Sequence, residues 1–280
     1  YQNDIYDGTD YQIRLNGVGN DNSNNNSSAL LSKLKKGSLP LGAITNITMG
    51  IVSLSDTVSN NHLKKYNISA KKGDGIYVLS HDEVEKLKLS SADFEKFIKP
   101  FFKNSDIKHF FAERENKLWL IYSKDEGEPI KLPKGLESHF EKFKDLIVGL
   151  KENFLKNEIA ASVVKKWFAH GNYFVLFTPK KESYFISPKI VAPYRSKSNC
   201  FAYVDYPFYG SKDIAYILPK HTGYKLKYLT CILNSKLIYN WLYYRGKRKG
   251  ETLELYAKPL SDIPIKNSSQ QNLFVSKYNE

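Results

Sequence analysis

The sequence predicts a mixed α+β protein built as two sub-lobes of mixed sheet with packed helices, joined by a long helical spacer. Three observations predict it. Short β-branched and aromatic runs of strand length recur between Ala43 and Leu218. Among them lie stretches whose apolar residues fall three and four apart, first Phe140, Phe143, Ile147, Leu150 and Phe154, then Leu226, Leu229, Leu233, Leu237 and Trp241. No apolar run is long enough to cross a membrane, and no repeat, Pro-rich or collagen-like tract competes with the pattern.

Taken in order, residues 1–40 read as a linker or the edge of an upstream domain. Asn20–Ser28 is a polar low-complexity loop, and Ala29–Lys36 offers a short helix ended by Gly37 and Pro40. Residues 41–135 form the first lobe. Its first strand is expected over Ala43–Thr48, followed by Gly50-Ile51-Val52 and a polar loop reaching Asn61. Recognition residues concentrate on loops that leave strand ends, which makes Ser55 and Asn60 candidates. Gly73-Asp74-Gly75 turns into a strand at Ile76–Leu79 and is not a phosphate loop, because no second half of a P-loop or dinucleotide fingerprint follows. Ser80 and Glu83 have the spacing of a capping box, Ser91–Ile98 is a short helix stopped by Pro100, and Leu118–Tyr122 is a buried strand.

Residues 136–170 are the helical spacer. The seam from Phe140 to Phe154 lasts about two heptads, too short for a partner-binding coil, so it predicts an intramolecular core contact. The helix restarts over Ile159–Phe168, and Tyr173–Phe177 reads as a strand. Residues 171–266 form the second lobe: a strand pair within Tyr184–Arg195, an aromatic-rich hairpin over Cys200–Leu218, one amphipathic helix over Lys225–Tyr244 and a basic turn over Arg245–Gly250. Gly246 is expected to end that helix in a left-handed conformation. Residues 267–280 are a tail.

Net charge is +13, and its placement matters more than its size. Residues 1–140 carry 19 Lys and Arg against 18 Asp and Glu, whereas the remainder carries 23 against 11. A one-sided positive field attracts polyanions, chiefly nucleic acid or acidic membrane surfaces; an ordinary solvated basic surface is the plain alternative. The 20 tyrosines and 16 phenylalanines suit wet interfaces, although an AT-rich genome produces the same enrichment. Cys200 and Cys231 stand far apart among apolar neighbours, which predicts buried free thiols, a reducing compartment and a cytoplasmic protein. The chain begins without Met in mid-pattern, so it is expected to be a fragment.

Catalytic signatures are not found. None of His62, His81, His109, His139, His170 and His221 stands three or four residues from another His or Cys, so metal-site spacing fails. There is no Gly-x-Ser-x-Gly elbow, no clustered carboxylate pair for a metal-dependent nuclease and no (Asn/Asp)-Pro-Pro-(Tyr/Phe) tetrad. What does occur is cation interleaved with aromatic: Tyr194-Arg195-Ser196-Lys197, Tyr206-Pro207-Phe208-Tyr209-Gly210-Ser211-Lys212, and Trp241 through Tyr244, Arg245, Lys247 and Arg248 to Lys249. Such residues neutralise phosphates and read base edges. Four cations within five residues at Arg245–Lys249 need solvent or an anion.

Phe185-Ile186-Ser187-Pro188-Lys189-Ile190-Val191-Ala192-Pro193, Tyr216-Ile217-Leu218-Pro219, Ile232-Leu233-Asn234-Ser235-Lys236-Leu237 and Gly246–Gly250 running to Pro259-Leu260-Ser261-Asp262-Ile263-Pro264-Ile265 resemble the C-terminal specificity domain of TaqI-like and Eco57I-like adenine DNA methyltransferases, including fused restriction–modification enzymes. Leu41–Ile51, Ile98-Lys99-Pro100-Phe101 and Trp119–Tyr122 are similar to that domain's first half, so the resemblance runs from about Leu41 to Ile265. One departure is that Gly50-Ile51 continues into Val52-Ser53-Leu54-Ser55 where the family often has Gly-Ile-x-Thr-Gly. The resemblance implies a recognition half without chemistry of its own, binding no cofactor and partnered by double-stranded DNA and by an upstream methyltransferase domain that holds S-adenosylmethionine and flips adenine. Arg245, Lys247, Arg248 and Lys249 are expected on phosphates and Arg195 and Lys197 on bases, with Lys212, Tyr209, Ser55 and Asn60 as further DNA contacts from the loops at 52–61, 194–199 and 206–212. Lys189, Ile190, Leu233, Asn234 and Pro264 match the pattern as structural residues. The rival readings are an RNA- or single-strand-binding module that stacks bases on its tyrosines, and a nuclease with an unrecognised motif.

Overall fold

The computed structural model of the chain describes residues 22–220 and 223–280. The linker reading of residues 1–21, and His221, lie outside the described residues. A helix at Asn22–Lys35 (α1) takes in residues 22–28, which the polar composition predicts as loop. It leads to a short strand at Leu39–Pro40 (β1), one helical turn at Leu41–Ile44 (α2) and the strand Thr45–Met49 (β2). The strand expected at Ala43 thus starts two residues late. Pro40 opens a helical turn, and Thr45 Oγ1 closes it by donating to Leu41 O at 2.7 Å.

The next helix, Asn60–Lys65 (α3), starts with Ser59, whose Oγ accepts from His62 N–H at 3.3 Å. After the strand Val78–Leu79 (β3), the helix His81–Lys86 (α4) carries the capping box read from Ser80 and Glu83, with Ser80 N–H on Glu83 Oε2 at 2.8 Å and Glu83 N–H on Ser80 Oγ at 3.3 Å. The helix Ser91–Phe97 (α5) runs straight into the strand Ile98–Phe102 (β4), and Leu118–Ile121 (β5) follows.

Three helices come next: Lys134–Lys142 (α6), Lys144–Glu152 (α7) and Glu158–Ala169 (α8). The seam that predicts one long helix is continuous, but the backbone breaks at Phe143 (φ −109°, ψ 8°). Leu136, Phe140, Phe143, Ile147 and Trp167 of this stretch are buried in one core. Residues 173–177, expected as a strand, form turns instead. A buried lysine from α7 partners this segment in place of a neighbouring strand: Lys151 Nζ donates to Tyr173 O at 2.6 Å and Val175 O at 2.5 Å.

Beyond a helical turn at Ser183–Ile186 (α9) come five strands, Lys189–Pro193 (β6), Arg195–Ser196 (β7), Ala202–Val204 (β8), Tyr209–Gly210 (β9) and Ile214–Pro219 (β10). The predicted helix 225–244 is two helices, Leu226–Leu233 (α10) and Lys236–Arg245 (α11), separated at Asn234-Ser235. Ser235 caps α11 by accepting from Ile238 N–H at 3.3 Å. The chain closes with Arg248–Lys249 (β11), Thr252–Glu254 (β12), Ala257–Ser261 (α12), Pro264–Ile265 (β13) and Gln271–Asn279 (α13). Gly246 is not left-handed (φ −82°, ψ −168°); a Cβ there would lie 2.5 Å from Leu242 O. Gly250 takes the positive φ, +59°, in the turn between β11 and β12.

The central sheet has the order β2-β10-β6-β8 and is antiparallel throughout. β8 and β10 both pair with β6 rather than with each other, so the expected 200–218 hairpin is instead a strand pair split by β6. Between them, β9 leaves to join a second sheet, β3-β5-β4-β9, running parallel to β4. A pair of short strands, β1 and β13, ties Leu39 to Ile265.

Side chains alternate along the central strands, and both faces of the sheet are covered. Val191, Ala202, Val204, Ile214 and Tyr216 point into the larger core, shared with the second sheet and α6–α8. Ile190, Ala192, Ala215 and Ile217 point into the smaller one, shared with α1, α10, α11 and α12. The α+β architecture therefore rests on one sheet sandwiched between two cores. Its strands come from both ends of the chain, β2 from before the helical stretch and β6, β8 and β10 from after it.

Candidate nucleic-acid interface

The register of the central sheet decides where the loops emerge. Met49 at the end of β2 pairs with Ala215, and Pro193 at the end of β6 pairs with Ile214 at the start of β10. Segments 52–61 and 194–199 therefore open at the same end of the sheet, and the segment 206–212, which starts at the other end where Val204 pairs with Lys189, arrives there at Gly210–Lys212. Backbone bonds knit them together. Tyr194 N–H donates to Asp213 O at 2.7 Å, Lys212 N–H to Ile51 O at 2.8 Å, and Ile51 N–H to Gly210 O at 2.9 Å. This approach requires Gly50, since a Cβ there would lie 2.3 Å from both Gly210 O and Ser211 O.

Beside this end stands a small sheet in the order β11-β12-β7. Arg248 faces Leu253, Lys249 faces Thr252, Leu253 faces Ser196 and Glu254 faces Arg195. Two basic segments far apart in sequence thus lie two strands apart in space. Arg195, Lys197, Lys247 and Lys249 are exposed, and Arg245 and Arg248 half-buried. Arg248 lies over the Tyr243 ring, 3.9 Å from its centroid, and the exposed Tyr244 packs edge-on against Tyr243.

One carboxylate organises this sheet, and the sequence reading missed it. Glu254 is 5% exposed, between Leu253 and Leu255 at 1% and 0%. Its Oε1 accepts from Arg195 Nε at 3.1 Å and Nη2 at 2.9 Å, and its Oε2 lies 3.5 Å from Lys247 Nζ. The hydrogen bond from Arg195 holds its carboxyl below the usual carboxylate range. Arg195 is shifted up chiefly by Glu254, and Lys247 chiefly by the Tyr256 hydroxyl. Tyr194 and Tyr256 stack at 5.7 Å; Arg195 lies 5.0 Å from the Tyr194 ring and Lys247 5.4 Å from that of Tyr256. The signal available in the sequence was an acid flanked by leucines, Leu253-Glu254-Leu255, just after a basic turn.

The remaining candidates are scattered. Lys212 is exposed on the loop beside Ile51, half-buried Ser55 donates to Thr57 O at 2.9 Å, and exposed Asn60 opens α3. Tyr209 is a correction to the surface set. Its ring is 1% exposed and its hydroxyl donates to Glu182 Oε1 at 2.7 Å, so it offers no face to a ligand. Lys189 is also buried, its Nζ donating to Ser187 O at 3.0 Å and Tyr206 O at 2.8 Å, in line with its structural reading. Among the described residues no group of three or more His, Cys, Asp or Glu is placed to hold a metal ion, and no helix is long and apolar enough to cross a membrane.

Residues 60–265 match the family model of the TaqI-like C-terminal specificity domain, starting later than Leu41, where the resemblance in the sequence begins. The type II methyltransferase M.HindII of Haemophilus influenzae strain KW20 Rd is 32% identical over 108 residues, which cover 38% of this chain and 20% of that protein. M.HincII, also from Haemophilus influenzae, is 32% identical over 100 residues, 35% of this chain and 20% of its own length. The matched stretch thus spans about a fifth of each of these curated relatives. Among solved structures, the type IIG restriction endonuclease BpuSI superposes with a TM-score of 0.51 at 12% identity, over 93% of this chain and 28% of that one. At that identity the likeness is one of fold.

Proposed function

The chain belongs to the family of TaqI-like C-terminal specificity domains, and from that premise we propose that it recognises a short, asymmetric site in double-stranded DNA for a restriction–modification adenine methyltransferase. The observation that carries this reading is the convergence of three loops and a basic sheet at one end of the central sheet. Lys247, Arg248, Lys249 and Arg245 neutralise phosphates and set the register on the duplex, while Arg195 and Lys197, with Lys212, Ser55 and Asn60 on the neighbouring loops, face the bases. Methyl transfer, the S-adenosylmethionine it consumes and any joined endonuclease belong to an upstream part of the parent protein. That part is the domain's partner, in the cytoplasm.

A single-strand binder stacks bases on exposed rings. Tyr77, Tyr209 and Tyr216, at 2% exposure or less, offer none, whereas Tyr243 and Tyr244 beside the basic turn are 36% and 42% exposed, so binding itself has to separate the two readings. The test is a salt titration of binding to a random duplex pool and to matched single-stranded DNA and RNA. Preference for the duplex, with log K falling linearly in log salt, is the expected result. Equal or tighter binding of single strands would replace this reading with the other.

A further inference from the structure

Arg195 and Glu254 form an arrangement that phosphate binding does not call for. The side chain of Arg195 is 46% exposed, yet Glu254, at 5%, takes two of its five N–H donors on a single oxygen. Glu254 is itself fixed by the backbone, its N–H donating to Lys247 O at 2.8 Å. Tyr194 covers one face of the guanidinium. The arginine is therefore held by an edge and a face, and three donors remain, both on Nη1 and one on Nη2. These form the end of the guanidinium that matches the two acceptors, O6 and N7, on the major-groove edge of guanine. A nearly buried carboxylate beside it cancels much of the cation's attraction for phosphate and repels phosphate oxygens directly. Among the described residues, the neighbouring Lys249 and Arg248 have no such anion in the basic sheet.

We infer that Arg195 reads one guanine of the recognition site and that Glu254 is the positioning residue that makes it a reader rather than a phosphate clamp. The inference rests on the DNA-recognition reading above. It adds a base, a groove and a division of labour within the basic sheet. Lys247 shares the carboxylate, so Arg195, Glu254 and Lys247 together present a net single positive charge, which joins that of Arg245, Arg248 and Lys249 on the phosphates.

The test is selection of the full chain, wild type against Arg195→Lys and Glu254→Gln, from a random duplex pool. Arg195→Lys keeps the charge and lies on an exposed strand. Each variant should lose preference for guanine at one shared position by about tenfold or more, while every other position of the motif stands and affinity for the unselected pool stays within about threefold. Replacing that guanine by 7-deazaguanine, which lacks N7, should weaken the wild type and leave Arg195→Lys unaffected. A motif unchanged in Arg195→Lys, or weaker binding spread over all positions, would overturn the inference while leaving DNA recognition standing. A wild-type chain that selects no motif would overturn both. If Glu254→Gln does not fold, Arg195→Lys and the modified base decide alone.

Discussion

Asn234 joins Phe201 twice, its Nδ2 donating to Phe201 O at 2.7 Å and its Oδ1 accepting from Phe201 N–H at 3.0 Å. The side-chain amide behaves as a strand neighbour would, pinning the entry to β8 against the junction of α10 and α11. Asn199 bridges the same gap from the other side, with Nδ2 on Leu233 O at 2.6 Å and Ser235 O at 2.9 Å. The loop that carries Lys197 is thereby anchored to the helix pair.

Asn234→Ala should cost about 1–3 kcal/mol, because it leaves the buried N–H of Phe201 unpaired, while the Phe201 carbonyl keeps its bond from Phe110 N–H at 3.0 Å. Urea unfolding measures it. A cost below about 0.5 kcal/mol would mean that this loop finds other partners.

Replacing Lys247, Arg248 and Lys249 together by Ala should weaken binding to every duplex alike and lower the salt slope by about 0.9 for each phosphate no longer neutralised, up to about 2–3 in all. Anisotropy titrations at several salt concentrations read this directly. Unchanged binding would make the turn a solvated surface.

Gly50→Ala forces a Cβ against two backbone carbonyls that cannot rotate away. We expect a loss of at least about 2 kcal/mol in urea unfolding, together with weaker DNA binding, since Lys212 is held by Ile51 O. Wild-type stability in this variant would show that the 50–52 and 210–212 segments separate freely.

Lys151 is fully buried over Trp167, and burial pulls its ammonium down to about 7; Lys189 is pulled down to about 7 in the same way. Below that value both folded and unfolded chains hold the proton, and stability does not respond. Between about 7 and the unfolded lysine value near 10.4 the unfolded chain keeps a proton that the folded one has shed, so stability rises with pH, by about 1.4 kcal/mol per unit for each lysine. Above about pH 9.5 the buried tyrosines oppose this, because they ionise more easily unfolded. Lys151→Met should therefore remove about 1.4 kcal/mol per pH unit from the slope between about pH 7.5 and 9.5. An unchanged slope would assign Lys151 an ordinary pKa.

The architecture was legible wherever a local pattern decides the outcome. Ser80 and Glu83 form their capping box as read, and Leu118–Ile121 is a strand because its apolar run is short and bounded. What failed was continuity. The apolar stripe from Leu226 to Trp241 passes smoothly over Asn234-Ser235, so periodicity hid the break, although an Asn-Ser pair is itself a stop and a cap. The segment 173–177, expected as a strand, has a partner that no local window contains, since Lys151 approaches it from α7. Within the candidate site, the basic segments could be seen but not their pairing through β12. Glu254 was invisible because its role depends on that pairing, and Tyr209 looked like an interface tyrosine because its neighbours Lys212 and Gly210 suggested a surface loop.

The central sheet also sets a timetable for synthesis. β2 is an edge strand whose one partner, β10, leaves the ribosome some 170 residues later, roughly 10–30 s at typical rates of translation. β4 likewise waits for β9 to close its outer edge. During that interval the nascent chain carries two open strand edges, one of them the β-branched Thr45–Met49, of the kind that pair with whatever strand is nearest. Messages truncated before the codon for Tyr209 would leave both edges permanently unpaired, and such products should aggregate or be degraded rather than persist as folded halves.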